Sequence, residues 1–297
     1  MTTPAGIQFL PNLGQALRRA LQWRLLLWWV LLTLIPTLVV LAPVWQTLSE
    51  QLDNTLHATV WAQDWDVMMI SDLVAVAGRE QTALGGAGTA SMLLLVMVIP
   101  LMNGLFIIAS RSATPLRMGE MLRGGLTQYW RMFRLMLIAL MPIAVAVLLM
   151  RLINKGLTHY GEAAILESEV DHLRWAALAG WAIVFAIANA SVDAARASLA
   201  LEPDRRSAVK AWWRGLKLVL RHPLRSAVLY LGVTALAAIV LVVMLGLRLE
   251  LRNASFIGLL LGLLIAQLIT ATIAWMHYAR LFGMLELTRA LKPAPAG

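Results

Sequence analysis

Six stretches of this chain run without a single Asp, Glu, Lys or Arg: Leu25–Trp45, Ala90–Ser110, Leu135–Met150, Trp175–Val192, Ser226–Leu247 and Asn253–Ala279. Crossing about 30 Å of hydrocarbon takes roughly 20 helical residues, so these runs suit transmembrane helices. The shortest, Leu135–Met150, lies between Arg134 and Arg151, whose long stems reach toward the interface and extend it by about a turn at each end. The runs are continuously apolar rather than alternating, which excludes barrel strands. Pro36, Pro100 and Pro142 fall inside spans, where the bundle tolerates them. Composition agrees, with 60% hydrophobic and 14% charged residues and a mean hydropathy of +0.74. A soluble domain carries about 45–50% apolar and about 25% charged residues, so a soluble enzyme is excluded. The expected fold is all-α: a polytopic membrane bundle of six transmembrane helices plus in-plane amphipathic helices, forming a single membrane domain over residues 1–297.

The cations fix the orientation. Arg18, Arg19 and Arg24 precede the first span, Arg111 to Arg134 follow the second, Arg196 to Arg225 follow the fourth, and Arg280, Arg289 and Lys292 follow the sixth. These segments hold nineteen of the 25 basic residues but only five of the 16 acids. By the positive-inside rule both termini are cytoplasmic. Topology thereby accounts for the net +9, and nucleic-acid binding is not needed to explain it. The first span reads as an uncleaved anchor, since Trp45-Gln46-Thr47-Leu48 offers no small-x-small cleavage site. The expected location is a bacterial inner membrane.

One device recurs three times: a basic amphipathic segment, a span going out, a loop, and a span returning. The leading segments read Leu17-Arg18-Arg19-Ala20-Leu21, Leu122-Arg123-Gly124-Gly125-Leu126 and Trp213-Arg214-Gly215-Leu216, and the returning spans end Ser110-Arg111, Ala195-Arg196 and Ala279-Arg280. The units are about 8–111, 112–196 and 203–280, all in the same orientation, as in parallel membrane repeats. Small residues and Arg are also general boundary chemistry, so convergence stays open beside triplication. In the third leading segment Val209, Trp212, Trp213, Leu216 and Leu220 recur at helical spacing beside Lys210, Arg214, Lys217 and Arg221, with Pro203 and Pro223 bracketing the run. A cationic stripe next to a Trp/Leu stripe suits an interfacial helix, and each cation near anionic headgroups contributes about 1 kcal/mol. Lys210, Arg214, Lys217, Arg221, Trp212 and Trp213 are therefore the candidate lipid-headgroup and interfacial residues, with orienting anchorage as the expected role and specific lipid or partner recognition as the alternative.

The first outer segment, 46–88, is long. Trp61, Trp65, Met68, Met69, Leu73 and Val76 have helical spacing within it, and Thr82–Ser91, with Gly85, Gly86 and Gly88, reads as a flexible return. Arg248 to Arg252 reads as a tight turn. Motifs that carry chemistry are absent: no His-Glu-x-x-His, no phosphate loop with Lys-Ser/Thr, no Gly-x-Ser-x-Gly and no cysteine. Asp64-Trp65-Asp66 lacks the Gly and third ligand of a calcium loop, and the five histidines are scattered. No metal, cofactor or catalytic residue is expected. Polar residues within spans matter more, because lipid penalises them. Asn103 and Asn189 sit at similar depths before Arg111 and Arg196, with Gln267 as the nearest counterpart in the sixth span. They serve either as interhelical hydrogen bonds or as a polar pocket. Asp193 and Arg196, three apart, can neutralise each other.

Three basic-amphipathic-plus-hairpin units with Arg closing each returning span resemble uncharacterised six-span bacterial inner-membrane proteins. That group is loosely similar to the membrane domains attached to some glycerophosphodiester phosphodiesterases. The resemblance implies a helical membrane bundle and supplies no catalytic residues. The expected function is non-enzymatic: a structural or accessory component of a membrane complex that interacts with anionic lipid headgroups and with membrane-protein partners. The alternative is a small transporter or permease-like protein whose polar pocket joins Asn103, Asn189 and Gln267.

Overall fold

The computed structural model describes residues 9–52, 81–112, 114, 116–163, 167–204, 207–251 and 256–291. Among them the chain is all-α, in nine helices: α1 Phe9–Ala20, α2 Trp23–Leu52, α3 Gln81–Arg111, α4 Met118–Thr127, α5 Tyr129–Ala163, α6 Glu167–Leu201, α7 Ala208–Arg221, α8 Pro223–Glu250 and α9 Phe256–Ala290. The six long ones (α2, α3, α5, α6, α8 and α9) are long and apolar enough to cross a membrane. This is a multi-pass membrane protein. Short helices α1, α4 and α7 each lead into one of the outgoing spans α2, α5 and α8.

The spans are longer than their uncharged cores. Helix α5 continues through Arg134, Arg151 and Lys155, because a charge near a helix end costs little once its stem reaches the interface. The return expected to be flexible at Thr82–Ser91 is instead the first turns of α3. A backbone entering lipid must bond to itself, and this outweighs the low helix propensity of Gly85, Gly86 and Gly88. Among the described residues, a Cβ added at any of the three would meet nothing within 4 Å. The segment Trp61–Val76 with its helical spacing, Asp64, Asp66 and His57 lie outside the described residues, as does Arg252, while Arg248 to Glu250 of the expected tight turn continue α8.

The chain divides into two compact units, Met1–Ala20 with Asn103–Val233 and Tyr278–Gly297, and Leu21–Met102 with Thr234–His277. In the second, α3 is tied to α2 where Ser91 Oγ donates to the Pro36 carbonyl at 2.9 Å, and the Trp29 and His277 rings lie 5.1 Å apart. The first holds the more densely buried core, built from the ends of the three returning spans. Leu105, Phe106 and Ile107 of α3, Ala194, Ala195 and Ala197 of α6, and Tyr278, Phe282 and Leu285 of α9 are all buried. Phe106 and Phe282 meet edge-to-face at 5.1 Å. Ser110, Ser191 and Ser198, also buried, donate to carbonyls three residues back on their own helices, so these hydroxyls cost little in the core. Large apolar side chains such as Ile183, Leu231 and Trp175 are exposed. Water would penalise such a surface, whereas lipid tails do not.

Candidate functional site

Helix α7 begins where Ser207 caps it, its Oγ accepting from the Lys210 N–H. It ends at Arg221, and Pro223, which cannot donate an N–H, opens α8 at a first-turn position. At about 100° of rotation per residue its side chains fall on three faces. Ala208, Ala211, Gly215 and Val219 form one stripe, fully buried. Val209, Trp213 and Leu220 form the next, each more than half exposed. Lys210, Arg214, Lys217 and Arg221 form the third, all exposed.

The buried stripe works because its residues are small. A methyl group added at Gly215 would collide with the Ser191 carbonyl oxygen of α6 and lie 2.7 Å from Ala195 N, so the two helices touch backbone to backbone. Beside this contact Trp212 Nε1 donates to Ser191 Oγ at 3.1 Å. Trp212 is thus turned toward α6, while Trp213 faces outward with Lys217 Nζ 5.5 Å from its ring centroid. Of the six residues expected at headgroups, five lie on the two exposed stripes and Trp212 anchors the helix.

The cations are not equivalent. Arg214 Nη1 lies 3.5 Å from Glu202 Oε2, and a cleft of about 620 Å³ lined by Glu202, Asp204, Lys210 and Arg214 mixes both signs. Glu202 thereby pairs with Arg214, whereas Lys217 and Arg221 lie beyond this cleft. The loop itself is held from below: Arg111 donates to the Ala200 and Leu199 carbonyls at 2.9 and 3.1 Å, and Arg131 donates to the Glu202 carbonyl. These arginines satisfy carbonyls at the α6 C-terminus, where cations also complement the helix dipole.

No family model, curated protein or solved structure matches this chain.

Similar close seating recurs at α4. Gly104 of α3 faces the Gly125 carbonyl of α4, which a methyl group would approach to 2.5 Å, and Gly124 and Gly125 fit against Ile108 and Leu105. On α1, Ala16 and Ala20 are buried and Arg19 lies 3.4 Å from Glu286 of α9. Under this layer Asp193 is buried with Arg196 Nη1 2.6 Å from its carboxylate, the i,i+3 pair expected from the sequence, and the Arg280 charge also acts on it. Arg280 donates to the Tyr230 hydroxyl at 3.1 Å and lies 4.4 Å from its ring centroid.

The midspan polar residues are placed differently from one another. Asn103 is buried, whereas Asn189 is half-buried and its Nδ2 donates to the Phe185 carbonyl one turn back on its own helix. Gln267, half-buried, belongs to the other compact unit. Among the described residues no group of three His, Asp or Glu side chains could hold a metal ion. Sequence reasoning missed the buried small-residue stripe of α7. Its signal was present as Ala208, Ala211 and Gly215 at spacings of three and four, the pattern that lets membrane helices approach closely.

Proposed function

We propose that this protein is a non-enzymatic, lipid-interacting component of a bacterial inner membrane, with both termini cytoplasmic and short helices lying in the plane of the inner leaflet. The observation that carries the reading is the three-faced α7. A helix docked by one stripe, with an apolar stripe and a cationic stripe beside it, fits an interface where lipid tails meet anionic headgroups. A soluble amphipathic helix would have no use for the exposed Val209, Trp213 and Leu220.

We also infer that the short helices belong to three repeats of one unit, each seated on the returning span of the unit before it and the first on the last. The seating of α4 on α3 and of α7 on α6 supports this, as does the Arg19–Glu286 ion pair between α1 and α9. In such a ring the basic helices α1 and α7 would gather cations at one leaflet, so anionic lipid would concentrate around the molecule.

Native mass spectrometry from nanodiscs of equal phosphatidylglycerol and phosphatidylcholine tests the reading. The full chain should retain phosphatidylglycerol in excess, and the combined Lys210→Gln, Arg214→Gln, Lys217→Gln and Arg221→Gln variant should lose most of that preference. Equal retention of both lipids by the unaltered chain would overturn it.

A further inference from the structure

Several polar side chains inside the spans are satisfied by their own helix. Thr33 donates to the Trp29 carbonyl, Thr270 to Ala266, Thr272 to Leu268 and Asn189 to Phe185, each one turn back. Gln267 of α9 differs from them: among the described residues its carboxamide makes no hydrogen bond. It lies 15 residues after Arg252 and 13 before Arg280, near the middle of the uncharged run Asn253–Ala279. At 1.5 Å per residue the two ends are each about 20 Å away, far beyond the reach of the side chain. Lipid tails at that depth offer an amide neither donor nor acceptor.

The surface of α9 around Gln267 has the layout of a helix–helix seam. Phe256, Leu260, Leu263, Gln267 and Thr270 recur at intervals of 4, 3, 4 and 3, the heptad spacing of two helices packed side by side. Phe256 and Leu263 are more than half exposed and Leu260 nearly so, while Gln267 and Thr270 are half-buried. Gly258 and Gly262, both buried, lie toward the other side of α9, where the Arg248 guanidinium of α8 packs over Gly262. The helix is therefore held through its glycine side and turns the seam to lipid.

We propose that a second copy of this chain covers the seam, the two α9 helices crossing at Gln267 with their carboxamides hydrogen-bonded to each other. A carboxamide carries both donors and an acceptor, so two of them across a two-fold axis satisfy each other. Both copies enter the membrane in the same orientation, so a two-fold axis along the membrane normal brings equal depths together and Gln267 meets its counterpart. A different protein would need a polar group at that same depth, and a lipid tail has none. One polar side chain in an apolar seam also fixes register and the number of partners. This contact does not depend on the headgroup preference proposed above.

The chain has no native cysteine, so disulfide trapping reads the contact directly. In vesicles of equal phosphatidylglycerol and phosphatidylcholine, Leu263→Cys should link two copies on mild oxidation. Leu268→Cys, also exposed but about 100° round the helix from Gln267, should not. Dimer dissociation on lipid dilution, followed with a fluorophore on Ser168→Cys, should become about tenfold easier in Gln267→Leu, the factor expected for losing a pair of interhelical amide bonds. Gln267→Asn, which keeps the carboxamide, should lose much less, and neither variant should melt earlier than the parent. Single copies at every dilution would overturn the dimer, whether lipid or another membrane protein covers the seam. A dimer that traps equally at Leu263 and Leu268, or that is indifferent to Gln267→Leu, would overturn this contact. Either result leaves the headgroup preference standing, because native mass spectrometry reads it separately.

Discussion

Gly215→Ala should loosen α7 from α6, and the structure sets the size of the effect. The added methyl would meet the Ser191 oxygen, Ala195 N at 2.7 Å and Ala194 C at 3.2 Å, all of them backbone atoms that no rotamer change can move. Ordinary carbon contacts sit near 3.5–4.0 Å, so the helices must part by about 1 Å, and a gap of that size forfeits a quarter to a half of each contact's attraction. Overpacking of this kind costs about 1–3 kcal/mol. The Trp212–Ser191 hydrogen bond, already at 3.1 Å, would stretch beyond range and add about 0.6 kcal/mol. Against this, replacing Gly by Ala inside a helix gains about 0.5–1 kcal/mol. The net is a destabilisation of about 1–3 kcal/mol. Gly232→Ala is the control, because a methyl there meets nothing within 4 Å and only the propensity gain remains. The two variants should melt roughly 5–10 °C apart in the same detergent, at about 2–4 °C per kcal/mol for a chain of this order. The chain has no native cysteine, so a cysteine at Ala211 reports directly on the interface. It should resist a thiol reagent in the parent and react readily beside Gly215→Ala. Equal melting of the two glycine variants, with Ala211→Cys still protected, would refute the backbone contact.

Other expectations follow from single contacts. Asp193→Leu should destabilise by about 3–5 kcal/mol, because it leaves Arg196 largely buried without its partner, and adding Arg196→Met should restore part of the loss in the same melt. Arg111→Gln removes two donors to the last α6 carbonyls and should increase proteolysis between 202 and 207 without changing helix content by circular dichroism. Trp181→Phe, which gives up the hydrogen bond to the Ala146 carbonyl between α6 and α5, should cost only about 0.6 kcal/mol and leave the melt nearly unchanged. Single cysteines at Ser168 and Ser207 should be labelled by an impermeant reagent only from outside and only from inside, respectively; the reverse pattern would invert the orientation.

The spans were legible because lipid imposes one demand on every residue of a crossing helix, and uncharged runs record it. Their ends were not, since Arg134, Arg151 and Lys155 interrupt the run without interrupting α5, and Gly85 to Gly88 weaken a pattern that the backbone itself must complete. On α7 the spacing of Lys210, Arg214, Lys217 and Arg221 corresponds to one exposed face, while of the expected apolar stripe only Val209, Trp213 and Leu220 are exposed. Trp212 and Trp213 look interchangeable in sequence, yet Ser191, on a helix ending before α7 begins, decides which of them turns inward. The apolar groove where α6, α7 and α8 meet had no local signature either. Ala186, Val219 and Ala227 come from three helices, and only their packing makes them neighbours.

The small residues of α7 also explain how a cationic helix can be aimed. Within lipid, the hydrophobic effect gives no preference for one face of a helix against another helix, so rotation about the α7 axis must be set by contact and hydrogen bonding. Gly215 provides the contact and Trp212 the hydrogen bond, and both point to the same stretch of α6. Once that stripe is seated, about 100° per residue dictates where Lys217 and Arg221 project. Headgroup attraction and the exposed apolar stripe favour one roll at an interface, and the Gly215 and Trp212 contacts fix the same helix against α6. The seated stripe thus holds Val209, Trp213 and Leu220 on one exposed face and Lys210, Arg214, Lys217 and Arg221 on the next.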